Sequence, residues 1–135
     1  MDGGATLIVA DTNLIIAFAL QTNDSALADS VHEKDANWVA PPIWQSEFRN
    51  AALGMMRSGK IGMTTANSAF QFAMDNVDTF DVSTGAVLRL AESHGLSAYD
   101  AEFAALAEWL ECKAVAFDDD LLKPGLAIHP REFSK

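Results

Sequence analysis

The sequence predicts an α/β domain built on a parallel sheet. Three observations carry this. Short apolar segments rich in β-branched residues recur along the chain. Longer stretches with helical periodicity separate them, and glycine, proline or serine stands at many of the junctions. Such alternation is the pattern of strand–helix–strand units, in which helices cover both faces of the sheet.

TLIVA (6–10) is short, apolar and β-branched, so it reads as a buried strand. DTNLIIAFAL turns into a helix, with polar Asp11, Thr12 and Asn13 at the junction. DSALADSVHEK (24–34) is an amphipathic helix, and NWVAP (37–41) is a second strand. Pro42 suits the first turn of a long helix reaching about residue 58, and Gly59 suits its C-terminal cap. TTANSAFQFAMDN is a further helix, and DTFDVS (78–83) is expected to be the third strand. TGAVLRLAESHG is a helix closed by Gly95, and SAYDAEFAALAEWLE is a helix opening at Ser97. KAVAF (113–117) is the fourth strand, and a short fifth is expected near LAIHP. No repeat, linker or low-complexity stretch interrupts the 135 residues, which therefore read as one domain.

The net charge of −10 argues against a broad basic face for nucleic acid. It leaves two explanations open: a solvated acidic surface, or carboxylates gathered to hold cations. The longest apolar run, LIIAFAL (14–20), is far short of the ~18 residues that span a bilayer. The opening MDGG carries an acid and no base, unlike a secretory leader. Cys112 is the one cysteine, with no disulfide or metal-spaced partner. A cytoplasmic protein without membrane association is expected.

The positions of the acids decide between the two explanations. Ligands of open α/β sheets bind beyond the carboxyl ends of the strands. Asp11 directly follows the first strand and Asp118 the fourth, so both point to one crevice. In the helix PPIWQSEFRNAALGMMRSG, residues Ile43, Trp44, Phe48, Ala51, Ala52 and Met55 form an apolar stripe. Glu47 lies on that stripe or at its border, where a carboxylate either reaches solvent or serves a site. Asp100 fits a capping box with Ser97, yet it also neighbours Phe103, Ala104 and Ala107 on the helix surface. Helix capping explains one or two aspartates of the run Asp118, Asp119, Asp120 but explains a third poorly.

Four segments, IVADTNLII, PPIWQSEFRNAALGMMRSGKI, LSAYDAEFAALAEWL and AVAFDDDLLK, together resemble the four acidic motifs of the PIN domain. They stand in the family's order and spacing, and the resemblance spans essentially the whole chain. It is strongest to the small VapC-type toxins. The resemblance implies a single PIN-like domain, with a parallel sheet of about five strands flanked by helices on both faces. It also implies a Mg²⁺- or Mn²⁺-dependent ribonuclease holding one or two ions, often a homodimer, and silenced by a small antitoxin protein. Carried over by position, the catalytic and metal-holding acids are Asp11, Glu47, Asp100 and Asp118. Asn50 matches the asparagine after the family glutamate, and Asn13 takes the small polar place two after the first aspartate. Ala116 departs from the pattern, because the family usually has threonine or serine there.

Four carboxylates with no histidine or cysteine beside them make an all-oxygen site, which suits hard divalent cations. Within the aspartate run, Asp118 is expected to be the working member, with Asp119 and Asp120 in support. Arg49, Arg57 and Lys60, on the helix of Glu47 or just beyond it, are the expected contacts for RNA. Phe70 and Phe72 are either core residues or a seat for a partner helix. His32, His94 and His129 are scattered and read as surface or structural. Two other functions fit less well. An aspartyl-phosphate phosphotransferase using Asp11 would want a second aspartate where Asn13 stands. A catalytically weak PIN-like protein-binding module finds its hint in Ala116.

Overall fold

The computed structural model describes residues 6–135; the MDGG opening lies outside the described residues. Four short strands, β1 (Ile8–Ala10), β2 (Trp38–Ala40), β3 (Val77–Thr79) and β4 (Lys113–Val115), form one sheet in the order β3-β2-β1-β4. All three pairings are parallel. Parallel strands need crossover connections, and the intervening helices supply them. They are α1 (Thr12–Ala19), α2 (Ser25–Lys34), α3 (Ile43–Arg57), α4 (Met63–Asn76), α5 (Thr84–His94) and α6 (Ala98–Leu110), with two single-turn helices, α7 (Asp119–Leu122) and α8 (Pro130–Phe133). The strands β1 and β2 are buried along their whole length, as interior parallel strands covered by helices must be.

The chain builds outward from β1 through β2 to β3, then returns to place β4 on the other side of β1. The strand order therefore reverses between β1 and β4. The segments leaving these two strands diverge there and open a crevice at their carboxyl ends. Helices α1, α3 and α4 pack together, while α5 packs on α6 and α6 lies against β1 and β4. Trp38, Trp44, Phe48, Leu14, Ile15, Leu106 and Leu121 are the largest fully buried side chains. The Trp44 indole N–H donates to Thr79 Oγ1 at 2.9 Å, so this buried ring keeps a polar partner.

Two strand expectations are corrected. The third strand is not 78–83 but Val77–Thr79, because α4 feeds directly into pairing with β2. Residues after Phe80 then leave the sheet for the α5 cap, where Ser83 Oγ accepts the Ala86 N–H. The fifth strand is reduced, among the described residues, to one parallel bridge between Val115 and Ile128. The next residues end it: His129 caps α8 and Pro130 opens it, so no second rung forms.

The aromatic positions also separate. Phe70 is half-buried, its ring 5.6 Å from both Trp44 and Phe48. Phe72 is exposed, with its ring 5.2 Å from Phe18. His32 stacks on Phe18 at 4.4 Å, and His129 accepts the Arg131 N–H as the α8 cap. Among the described residues no helix is long and apolar enough to cross a membrane.

Candidate active site

Asp11 is delivered to the crevice by backbone pairing. Its N–H donates to Val115 O at 3.2 Å, which extends the β1–β4 ladder one residue beyond the strand. The chain then turns into α1, and the Asp11 carboxylate caps that helix by accepting the Leu14 N–H at 2.8 Å on Oδ1. Its other oxygen accepts the N–H groups of Phe117 at 2.9 Å and Asp118 at 3.3 Å. The segment KAVAF was expected to be strand throughout. It leaves the sheet after Val115, and the Phe117 amide is spent on Asp11 instead.

Glu47 sits at mid-helix in α3 and is half-buried, at the border of the apolar stripe. The Thr12 hydroxyl donates to its Oε1 at 2.6 Å and ties α3 to the start of α1. Asp100 enters from the first turn of α6. The Ser97 hydroxyl accepts the Asp100 N–H at 3.0 Å, which is one half of a capping box. The Asp100 carboxyl lies beside that of Asp118, with an oxygen of each within 4.8 Å of the other. Asp118 itself caps α7 by accepting the Asp120 N–H at 2.9 Å on Oδ1.

These residues line one cleft of about 450 Å³. Asp11, Glu47, Asp100 and Asp118 all face it, as do Asn13 and Asn50. Among the described residues no lysine, arginine or histidine lines it. Oxygen atoms of Asp100, Asp118 and Asp120 lie within 4.8 Å of one another. Burial first, and then crowding without a counter-charge, leave their mark on the carboxyl groups. Burial, opposed by three backbone N–H bonds and reinforced by Asp118, pushes Asp11 up to about 7. Burial and the Asp118 charge push Asp100 up to about 6. Burial, then the Glu47 charge, raises Glu102 as well. An all-oxygen set of carboxylates that repel one another and lack a basic neighbour fits a hard divalent cation.

The remaining sequence expectations land elsewhere. Asp119 is exposed and does not line the cleft. Asp120 does more than was read into it, since its carboxylate joins those of Asp100 and Asp118. Arg49, Arg57 and Lys60 do not line the cleft either. Arg49 is two residues from Glu47, roughly 200° around the helix, and its guanidinium lies 4.7 Å from the Phe70 ring centroid. Ala116 is fully buried, leaving its methyl group in the core.

Tyr99 and Thr12 are among the cleft residues that the sequence reading does not single out. Tyr99 stands exposed at the cleft, and the available signal was its place four residues before Phe103 on the same helix. Thr12 is buried and carries the hydroxyl that reaches Glu47. The available signal was its place three and four residues before Ile15 and Ile16, because a hydroxyl near a buried stripe requires a partner.

The PIN domain family model matches residues 8–125. Among solved structures, PAE2754 from Pyrobaculum aerophilum superposes with a TM-score of 0.77 at 22% identity, covering 97% of this chain and 96% of that one. A toxin–antitoxin complex from Klebsiella pneumoniae gives a TM-score of 0.66 at 16% identity, covering 91% and 97%. VapBC2 from Rickettsia felis, bound to a DNA fragment from its promoter, gives 0.62 at 15% identity, covering 92% and 97%. Among curated protein sequences nothing matches the chain.

Proposed function

The chain belongs to the PIN domain family, and from that premise we propose that it is a Mg²⁺- or Mn²⁺-dependent endoribonuclease, the toxin of a toxin–antitoxin pair. PIN domains are in general nucleases. One observation carries the finer reading: four acids far apart in sequence meet in a cleft that, among the described residues, no basic side chain lines.

In this reading Asp11, Glu47, Asp100 and Asp118 hold the cation, one or two ions in all, with Asp120 close enough to join them. The bound ion supplies an activated water and neutralises charge at the phosphodiester. The protein's own groups do the rest. Asp11 is locked by its three backbone donors, so its oxygens keep one orientation. Asp118 is fixed as a helix cap, and Asp100 is anchored in the first turn of α6. Asn13 and Asn50 bring amide groups to the cleft that can orient water or ribose. Arg49, Arg57 and Lys60 would serve RNA only outside the cleft. The phosphotransferase reading loses ground here, because both oxygens of a nucleophilic Asp11 already accept backbone N–H groups.

The partner in this reading is a small antitoxin protein, and the active form is a homodimer. The support for the antitoxin is the company of structures in which this fold is found, one described as a toxin–antitoxin complex and one named VapBC2. The test is cleavage of a panel of structured and unstructured RNAs with Mn²⁺ or Mg²⁺. Cutting that disappears in excess EDTA is expected, and cutting undiminished by EDTA contradicts the proposal.

A further inference from the structure

We infer that Thr12 is a positioning residue that sets the Glu47 carboxylate for cation binding, through the hydrogen bond from its hydroxyl to Glu47 Oε1. The inference rests on the metal-dependent reading of the cleft. It assigns a role to a residue that none of the acidic positions implies.

The geometry carries it. Glutamate has three side-chain torsions, and a half-buried one at a stripe border can swing out to solvent. Glu47 is held instead by a 2.6 Å contact from Thr12, a short hydrogen bond of the charge-assisted kind. The donor is 7% exposed, and its β-branch restricts the hydroxyl to few rotamers. It sits at the first position of α1, one residue after Asp11. The same turn of backbone thus fixes Asp11 as a cap and aims Thr12 at α3. With Oε1 bonded to Thr12, Oε2 stays free to face a cation. Ala116, whose side chain is a buried methyl, offers no hydroxyl from the β4 side.

The structural alternative is that Thr12 merely links α1 to α3. The two roles predict different results. Outer groups that orient metal ligands typically change affinity by 10- to 100-fold when removed. Calorimetric titration of the full-length protein with Mn²⁺ is the readout, on Thr12→Val, Thr12→Ser and the wild type. Thr12→Val keeps the shape and removes the hydroxyl, and it should weaken Mn²⁺ binding about tenfold or more. Thr12→Ser keeps the hydroxyl and should stay within about threefold of wild type. Should Val fail to fold, Thr12→Ala takes its place.

A cycle with Glu47→Gln separates the roles further. If Thr12 acts through Glu47, adding Thr12→Val to Glu47→Gln should change Mn²⁺ affinity by less than about twofold. Wild-type affinity in Thr12→Val overturns the inference, as does full additivity in the double variant. A wild-type protein that binds no Mn²⁺ overturns the metal-dependent reading itself, and the role of Thr12 falls with it.

Discussion

The Asp11 carboxylate accepts the backbone N–H of Asp118, at 3.3 Å, across 107 positions of sequence. The bond joins the ends of β1 and β4, the two strands at which the sheet order reverses. Asp11 is therefore both a scaffold for the cleft and a member of it, whereas Asp118 presents its side chain more freely.

This difference separates two variants. Asp11→Asn puts an amide NH₂ where an oxygen now accepts, against either the Leu14 or the Phe117 and Asp118 donors. It should abolish cleavage and, at about pH 4, where burial keeps Asp11 protonated and no charge penalty is relieved, also lower stability by about 1–2 kcal/mol. Asp118→Asn keeps an Oδ1 acceptor for the Asp120 N–H, so it should abolish cleavage with stability nearly unchanged. Urea unfolding of the two variants beside single-turnover cleavage checks both halves. Equal stability loss in the two would contradict the assignment.

The aspartate run should divide unevenly. Asp119 faces solvent, so Asp119→Asn should keep activity within roughly tenfold, the equivalent of ~1.4 kcal/mol. Asp120 shares the oxygen cluster with Asp100 and Asp118, so Asp120→Asn should raise the Mn²⁺ concentration needed for half-maximal cleavage. Metal titrations of cleavage rate compare them. An Asp119→Asn variant as inactive as Asp118→Asn would place the working acid one residue later.

Metal-free stability should fall as pH rises. Asp11 at about 7 and Asp100 at about 6 both lie above their ordinary value of 3.8. The folded state thus holds protons that the unfolded chain releases, and stability is greatest below about pH 4 from these two groups and is lost up to about pH 7. Other groups titrate too, so the signature is the difference from Asp11→Asn, which should lack most of this slope. Divalent cation competes with those protons, so Mn²⁺ affinity should increase from pH 5.5 to pH 8. Thermal melts across pH, with EDTA and with Mn²⁺, measure both trends. A metal-free protein that gains stability from these groups as pH rises from 5 to 7 would contradict the burial argument.

Expression of the intact protein should arrest growth, and the Asp118→Asn variant should not. The measurement is colony formation under induction of each. Harmless overexpression of a protein that cuts RNA in vitro would remove the toxin from the account while leaving the nuclease.

Much of this was legible because period and punctuation agreed. Gly59 and Gly95 both adopt positive φ, at 79° and 66°, just after the helices that the sequence ends there. Glu47 fell at a stripe border, and the strand-then-acid pattern placed Asp11 and Asp118 at one crevice. What escaped were features set by partners remote in sequence. The short β3 takes its register from β2, and the fifth strand shrinks to a bridge because α8 starts too soon. The Thr12 bond joins positions 35 residues apart, and the exposed Asp120 carboxylate comes near Asp100 because a single-turn helix carries it there. No local propensity encodes either.

The central claim is that the cleft acids hold a divalent cation. The most direct measurement is an anomalous difference map from crystals soaked in Mn²⁺. The account predicts density in the cleft within ligand distance of the Asp100 and Asp118 carboxylates, with Asp11 or Glu47 completing the set, and its loss in Asp118→Asn crystals. An empty cleft at saturating Mn²⁺, or an ion bound only at a surface away from these residues, would contradict it.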